Sequence, residues 1–316
     1  MPRLIDPGSE GAIELDQLVA ALADTRIDVR DDDAFASLGP LLARIGRNRS
    51  FLADMAIGEL KTRCSGQVTS NGYGPQVFLL QPPDGRFVLR ANFWPARTDA
   101  VVRASGEAAF FYDLPHDHNF SFLTVGYLGP GYWSDYYEID PAARCGIPGE
   151  HAGLRFAERS KLDPGKLMLY RMRRDIHVQL PPDAFSVSLN ILGYDPAQPW
   201  VDQHRFDIAR GTIDAALTIA PSEALVTLAA QFGGGNGTDL AQHFAAAHPC
   251  ERMRVTAHAA LASAAPDRAA AEPIWAAATA DPSRRVRDHA RARLAAIAAA
   301  CTGMEAIGDR DREALC

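Results

Sequence analysis

Apolar positions along the chain follow three patterns, and each pattern predicts a different kind of structure. In the first part, leucines recur at helical spacing, at Leu15, Leu18 and Leu22 and again at Leu38 and Leu42, because a helix returns to the same face every three to four residues. In the middle, short β-branched and aromatic runs are broken by Pro, Gly and Asp, which is typical of strands. Beyond about residue 211 the chain becomes alanine-rich and helical in pattern. The predicted order is therefore helices, strands and helices again.

The middle segment contains a series of candidate strands without an intervening helix. They are predicted at 76–81, 87–94, 108–114, 120–127, 134–139, 166–171, 176–180, 185–192 and 205–208. Pro83, Asp84 and Gly85 separate the first two strands and predict a hairpin turn, since glycine accepts the positive φ that such a turn needs. Many short strands joined by turns favour a double-sheet jelly-roll barrel.

These patterns divide the chain into three segments. We expect residues 1–65 to form helices that pack on the barrel, 66–210 to form the barrel itself and 211–316 to form a helical domain. Within the last segment, residues 253–261 align with 286–294. The alignment resembles HEAT-like repeats, whose helical pairs stack into a short solenoid. The sequence thus predicts an α+β chain with an all-α HEAT-like C-terminal domain.

Composition and charge exclude several classes of function. The chain has 316 residues and a formal net charge of −7, and it lacks the dense basic stretch that nucleic acid or an anionic membrane surface requires. No apolar run approaches the roughly 18 residues of a membrane span, and the first residues lack the apolar core of a secretory signal. The cysteines form no CxxC pair, so we expect reduced thiols. We therefore predict a cytoplasmic protein that acts on a small molecule, with no nucleic acid and no membrane as partner.

Three histidines carry the most specific chemistry in the sequence. His116 and His118 are separated by one residue, and on a β-strand two such side chains point to the same face. His177 lies where a return strand is expected to pass the pair. Three imidazoles on one face suit Fe(II), Zn, Cu or Ni. We therefore predict that these three residues bind one metal ion, with His151 and His204 at most at the border of the pocket.

The sequence around these histidines resembles the cupin superfamily, and within it the cysteine dioxygenase-like thiol dioxygenases. Residues 115–118 match the first motif of that family, and His177 with the strand at 185–192 matches the second. Cupins with a glutamate ligand carry it four or five residues after the second histidine, where this chain has Phe122 and Leu123. The three-histidine variant is therefore the better match. The resemblance implies a cupin barrel with a mononuclear non-haem Fe(II) centre and O₂ as co-substrate.

The same resemblance assigns roles to further residues. Arg90 lies close to the position where cysteine dioxygenases carry an arginine that grips the substrate carboxylate, and its alternative role is a structural salt bridge or an outward-facing side chain. Asn190 stands where that family has a histidine, and the family's catalytic tyrosine would fall near Leu192, two residues before Tyr194. We therefore expect Arg90, Asn190 and Tyr194 at the catalytic site. Glu138, on the strand after the motif, is the candidate for a fourth ligand.

The resemblance, carried by these residues, implies an oxidoreductase of the dioxygenase type, of EC class 1.13, that uses O₂ to oxidise a small amino-acid-like or thiol substrate at a three-histidine iron centre. The departures from the family at Leu123 and Asn190 leave two alternatives open. One is a cupin metalloenzyme that oxidises a carbon or nitrogen centre in a specialised natural-product pathway, with Fe(II) or another divalent metal such as Zn, Ni or Cu. The other is a non-catalytic cupin that binds a small ligand, with the helical tail docking a protein partner. The C-terminal helices leave a homodimer or a protein partner open.

Overall fold

The computed structural model describes residues 1–74, 76–82, 85–218 and 220–313. Over these ranges the protein combines helices with antiparallel sheets, which agrees with the α+β prediction. The chain forms two compact units, one of Met1–Arg144 with Pro148–Leu217 and one of Cys145–Ile147 with Thr218–Cys316. The three-segment division expected from the sequence stays a prediction.

Helices come first in the larger unit. They are α1 (Leu15–Asp24), α2 (Asp32–Ala36), α3 (Gly39–Arg47), α4 (Phe51–Lys61) and α5 (Ser65–Ser70), followed later by the short α6 (Ala100–Ser105). The side chain of Asp31 accepts hydrogen bonds from the backbone N–H groups of Asp33 and Ala34. It therefore caps α2, because the first N–H groups of a helix have no partner inside it. Leu18, Leu22 and Leu42, from the predicted helical stripes, are buried.

The strands of the larger unit lie on both sides of the histidine motif. They are β1 (Arg3–Leu4), β2 (Val77–Leu79), β3 (Phe87–Trp94), β4 (Phe122–Leu128), β5 (Trp133–Glu138), β6 (Arg155–Lys161), β7 (Leu167–Tyr170), β8 (Asp175–Gln179), β9 (Ser186–Gly193), β10 (His204–Asp207) and β11 (Thr212–Ala216). Over the described ranges they form a six-stranded sheet in the order β1-β7-β4-β9-β3-β2, a three-stranded sheet β6-β5-β8 and the pair β10-β11. All the strand pairs are antiparallel.

One of the predicted strands is wrong, and the sequence pattern missed others. Residues 108–114 form a 3₁₀ turn at Glu107–Phe110 and then left-handed backbone at Phe111 (φ 58°) and Asp113 (φ 55°), which no strand allows. The other predicted strands each correspond to an observed one. β6 was missed because its edge position leaves it mostly polar, and β1 and β11 were also missed. The predicted turn at Pro83 and Asp84 lies outside the described residues.

The two faces of the large sheet carry different residues. On β9, Val187, Leu189 and Ile191 belong to a hydrophobic core that also holds the buried leucines of α1 and α3. Ser188 and Asn190 point to the opposite face, since side chains alternate along a strand. Helices therefore cover one face of the sheet, and buried polar side chains line the other.

A second core lies on that opposite face. Phe122, Met168 and Tyr170 of the large sheet pack there in one cluster with Tyr136 of the three-stranded sheet. Tyr136 is paired across β5 and β8 with His177. The second core thus brings the inner face of the large sheet next to the predicted metal ligand.

The smaller unit is helical over its described residues from 220 onward. It contains α7 (Pro221–Phe232), α8 (Gly234–Ala247), α9 (Glu251–Ala264), α10 (Arg268–Ala278) and α11 (Arg284–Glu313). The aligned positions Met253 and Val286 are both buried, and so are Ala257 and Ala290. The HEAT-like assignment itself stays a prediction. None of the helices in the described ranges is both long and apolar enough to cross a membrane.

Candidate metal centre

Three histidine side chains converge in the larger unit. Nε2 of His177 lies 3.0 Å from Nε2 of His118 and 3.2 Å from Nε2 of His116. His177 is fully buried and His116 is 3% exposed. Over the described residues, these three histidines are the group of potential ligands close enough together to hold one ion.

The strand that was expected to carry His116 and His118 is irregular. His116 forms isolated antiparallel bridges with His177 and with Arg205. In the bridge with His177, the N–H of each residue donates to the carbonyl of the other at 3.1 Å. The residues on either side of His116 form backbone hydrogen bonds with β10 instead of β8. The N–H of Phe206 donates to the carbonyl of Pro115, and the N–H of Asp117 donates to the carbonyl of His204. The motif therefore lies between β8 and β10, and both imidazoles still reach His177.

The protonation of the three rings suits metal binding. Nδ1 of His116 lies 2.8 Å from the carbonyl oxygen of Leu114 and must donate to it, which leaves the lone pair on Nε2. Burial lowers the pKa of His116, and it lowers the pKa of His118 and His177 to well below the usual range. The rings are therefore neutral near pH 7. Three neutral nitrogens this close together fit a divalent cation, which accepts all three lone pairs at once.

Glu138, the candidate for a fourth ligand that the sequence leaves open, does not belong to this group. Its carboxylate accepts a hydrogen bond from the terminal amine of Met1 at 2.6 Å and one from Arg171 at 2.8 Å. The hydrogen bond from the terminal amine is the main cause that lowers the pKa of Glu138. These cations hold the carboxylate at the end of β5, away from the histidines.

A buried ion pair supports the motif from behind. Asp117, between the two ligands, is fully buried and accepts a hydrogen bond from Arg144 at 3.0 Å. Its other oxygen accepts one from the backbone N–H of His204 at 2.6 Å. Because Asp117 points away from the rings of His116 and His118, it fixes the backbone that carries them. His204 is likewise buried, beside Asp117 rather than among the ligands.

A cavity of about 380 Å³ adjoins the histidines, and Arg90 and Asn190 line it together with His116 and His118. Both predicted residues face inward from neighbouring strands, where Arg90 is paired with Asn190 and Asn190 with Thr124. Nδ2 of Asn190 donates to Oγ1 of Thr124 at 2.7 Å. The structure thus brings two of the three expected catalytic residues to the predicted ligands.

Arg90 is a buried cation without an acidic partner. It is 8% exposed, and its Nε has no hydrogen-bond partner in the described chain. Its guanidinium lies over the ring of Tyr73, 5.0 Å from the centroid. Burial lowers its pKa, but a guanidinium remains charged in proteins. Arg90 therefore forms no salt bridge with any described residue, and its side chain does not face outward, so neither alternative role is observed for it.

Tyr194 is not brought to the cavity. Its side chain is 46% exposed and borders a separate cleft together with Arg30 and Asp195. The reason is that β9 ends at Gly193, after which the backbone N–H of Tyr194 bonds to the carbonyl of Arg86. The alternation that places Asn190 inward no longer applies beyond that point.

Sequence reasoning missed several residues around the site. The ring of Tyr170 lies 4.9 Å from that of His177, and its hydroxyl is 2.8 Å from the hydroxyl of Tyr136. Burial raises the pKa of Tyr170 to well above the usual range, so its phenol is neutral. Gln179 also lines the cavity. Strand alternation was the available signal for Gln179, because it stands two residues after His177 on β8.

Comparisons with known proteins add little to this geometry. No family model matches the chain, and no curated protein matches it. Among solved structures, the DMSP lyase DddQ from Ruegeria pomeroyi DSS-3 is 12% identical. The match covers 61% of this chain and 79% of the DddQ chain, with a TM-score of 0.24. Hydroquinone 1,2-dioxygenase PnpCD, in complex with Cd²⁺ and 4-hydroxybenzonitrile, is 11% identical. The match covers 41% of this chain and 71% of the PnpCD chain, with a TM-score of 0.25.

A further match covers still less. The DMSP lyases RdDddP and RnDddQII are represented by a chain that is 12% identical, with a TM-score of 0.23. The overlap covers 38% of the present chain and 44% of that one, so this chain spans less than half of its length. Overlaps of this size carry no argument about activity.

Proposed function

We propose that this chain is a mononuclear non-haem oxygenase with a cupin-like barrel, which uses Fe(II) and O₂ to oxidise a small anionic substrate of amino-acid-like or thiol type. The observation that carries the proposal is the convergence of three neutral imidazoles beside a cavity that is also lined by Arg90, whose buried guanidinium has no acidic partner among the described residues. For a thiol substrate, both atoms of O₂ end on the sulfur. The sulfur then supplies all four electrons that O₂ accepts, and no external reductant is needed.

In this proposal, the histidines and the residues that support them have separate roles. His116, His118 and His177 would hold the metal through Nε2, and Fe(II) would supply the Lewis-acid and redox chemistry that the reaction with O₂ needs. The carbonyl of Leu114 fixes the orientation and the tautomer of the His116 ring. The backbone contacts of Asp117 keep both imidazoles of the motif in place.

The cavity walls position the substrate. Arg90 binds its anionic group, since a buried guanidinium without a carboxylate partner is stabilised by an incoming anion. Phe120 and Phe122 pack on the ring of His118, with centroids 5.1 and 4.8 Å apart. These aromatic side chains exclude water from the side of the ligand group on which the substrate binds.

Metal content and oxygen uptake test the proposal together. We expect near-stoichiometric iron in the wild-type protein, loss of iron in His118→Ala, and retention in the matched control His151→Ala, whose histidine is exposed and lies outside the group. With Fe(II) present, we expect O₂ consumption with at least one member of a panel of thiols and amino acids. A wild-type protein that binds no divalent metal after loading would contradict the site. Binding of zinc, nickel or copper in preference to iron, without O₂ uptake, would contradict the oxygenase.

A further inference from the structure

Three residues that line the cavity each have a buried side-chain amide oxygen without a hydrogen-bond donor in the described chain. These oxygens are Oδ1 of Asn92, Oε1 of Gln179 and Oδ1 of Asn190. In Asn190 the Nδ2 atom is already engaged by Thr124, so its oxygen is the group left over. A buried acceptor without a donor is costly. The cavity therefore favours a ligand that brings its own N–H or O–H groups.

Aromatic rings form the wall next to the histidines. Phe120 and Phe122 contact the ring of His118, and the ring of Phe111 lies 5.9 Å from that of His116. Phe111 is 47% exposed and has a left-handed backbone (φ 58°), which is rare for a bulky residue. Residues in such rarely populated backbone conformations cluster at functional sites. Phe111 also lines the cavity, where its side chain forms an aromatic edge.

The cavity is also large for a small amino acid. Its volume of about 380 Å³ lies within the range of sites that enclose drug-sized ligands, about 300–1,000 Å³. Trp94 lines it as well, with its ring tilted by 38° to that of Tyr132 at a centroid distance of 4.3 Å. A planar ring fits between such walls, because aromatic rings attract one another in tilted and offset arrangements. The charge of Arg90 selects for an anion in the same cavity.

We propose that the substrate of this site is an aromatic carboxylate that carries a hydroxyl or amino group on its ring. Its carboxylate binds Arg90, its ring packs against Phe120 and Phe122, and its O–H or N–H groups donate to the free oxygens of Asn92 and Gln179. This inference narrows the amino-acid-like substrate of the proposed function to an aromatic one and sets the thiol aside, and it rests on the proposed function for the chemistry that follows binding. The binding itself depends only on residues of the chain.

Calorimetric titration of the protein as purified, with O₂ excluded, tests the inference. The ligands are 2-aminobenzoate, benzoate, cyclohexanecarboxylate and cysteine. We expect 2-aminobenzoate to bind at least tenfold more tightly than cyclohexanecarboxylate and than cysteine, with benzoate between them. The ligand series uses only the wild-type protein, so it gives a result whether or not a variant folds. Cysteine binding as tightly as 2-aminobenzoate would overturn the inference.

Two substitutions, each with a matched control, test the contacts that Phe120 and Arg90 make with the ligand. Phe120→Leu is expected to weaken 2-aminobenzoate binding about tenfold and to leave cyclohexanecarboxylate binding nearly unchanged, while the control Phe156→Leu, at a 59% exposed position on β6, changes neither. Arg90→Gln is expected to weaken all carboxylates, and Arg155→Gln, on the exposed strand β6, none. Equal losses for both carboxylates in Phe120→Leu would contradict the aromatic contact. Absence of metal and of O₂ uptake would refute the oxygenase while leaving these affinities measurable.

Discussion

At the scale of single residues, Asp117 is the group whose removal should disturb the site most without touching the cavity. Its ion pair with Arg144 is fully buried on both sides, at 1% and 0% side-chain exposure. Loss of one partner of such a pair leaves an uncompensated buried charge. The same carboxylate holds the backbone of His204. Stability and metal binding are therefore linked at this residue.

We expect Asp117→Asn to lower the free energy of unfolding by about 3 kcal/mol and to weaken metal binding by about tenfold. The amide keeps the shape of the carboxylate and loses the charge that balances Arg144. Urea unfolding at pH 7 and competition with a metal indicator measure the two effects. Asp135→Asn is the matched control, because its partner Arg159 is exposed, and it should cost less than about 1 kcal/mol. Equal effects of the two substitutions would contradict the role of burial.

At the scale of secondary-structure elements, alternation along strands explains both what could be predicted and what could not. The periodicity of 185–192 predicted β9 nearly to the residue. The family resemblance selected Asn190, which alternation along β9 places inward beside Arg90, and it also selected Tyr194, which lies beyond the end of that strand. Periodicity failed for 108–114 because a left-handed backbone is a local conformation that apolar residues do not signal. The His-x-His spacing pointed to histidines that the structure does bring together with His177, although the segment that carries them forms no regular strand.

An ion pair between Arg30, just before α2, and Asp195, just after β9, joins two elements. The hydrogen bond from Arg30 lowers the pKa of Asp195. A carboxyl whose pKa is lower in the folded state stabilises the fold above its unfolded value of about 3.9, and the contribution disappears as the pH falls through the folded value. We therefore expect Arg30→Gln to destabilise the protein slightly at pH 7 and progressively less below about pH 4.

The carboxyl signal of Asp195, followed by NMR, gives the pKa directly and should move upward in Arg30→Gln. The control is Arg26→Gln, because Nη1 of Arg26 donates to the carbonyls of Ala23 and Thr25 and to no acid among the described residues. Urea midpoints of both variants over the same pH range complete the measurement. A difference between wild type and Arg30→Gln that stays constant through the acid range would contradict the electrostatic origin.

At the scale of the whole molecule, the ligands come from distant parts of one unit. His116 and His118 precede β4, and His177 is on β8, so an ion held by all three ties these segments together. A ligand that binds only the folded state stabilises it by an amount that grows with its concentration over its dissociation constant. The helices α7 to α11 contain no residue of this group. Metal binding should therefore stabilise the larger unit selectively.

Hydrogen exchange with and without a chelator tests this selectivity in the intact chain. We expect removal of the metal to increase exchange at 116–118 and along β8, where the N–H groups of His116 and His177 bond to each other's carbonyls. The amides of α9, which carry the buried Met253 and Ala257, should be unaffected, since no described ligand lies on that helix. His118→Ala should show fast exchange at the motif with or without chelator. A wild-type protein whose exchange at 116–118 ignores the chelator would mean that the three imidazoles hold no ion in solution, and the cavity beside them would then belong to a binding protein.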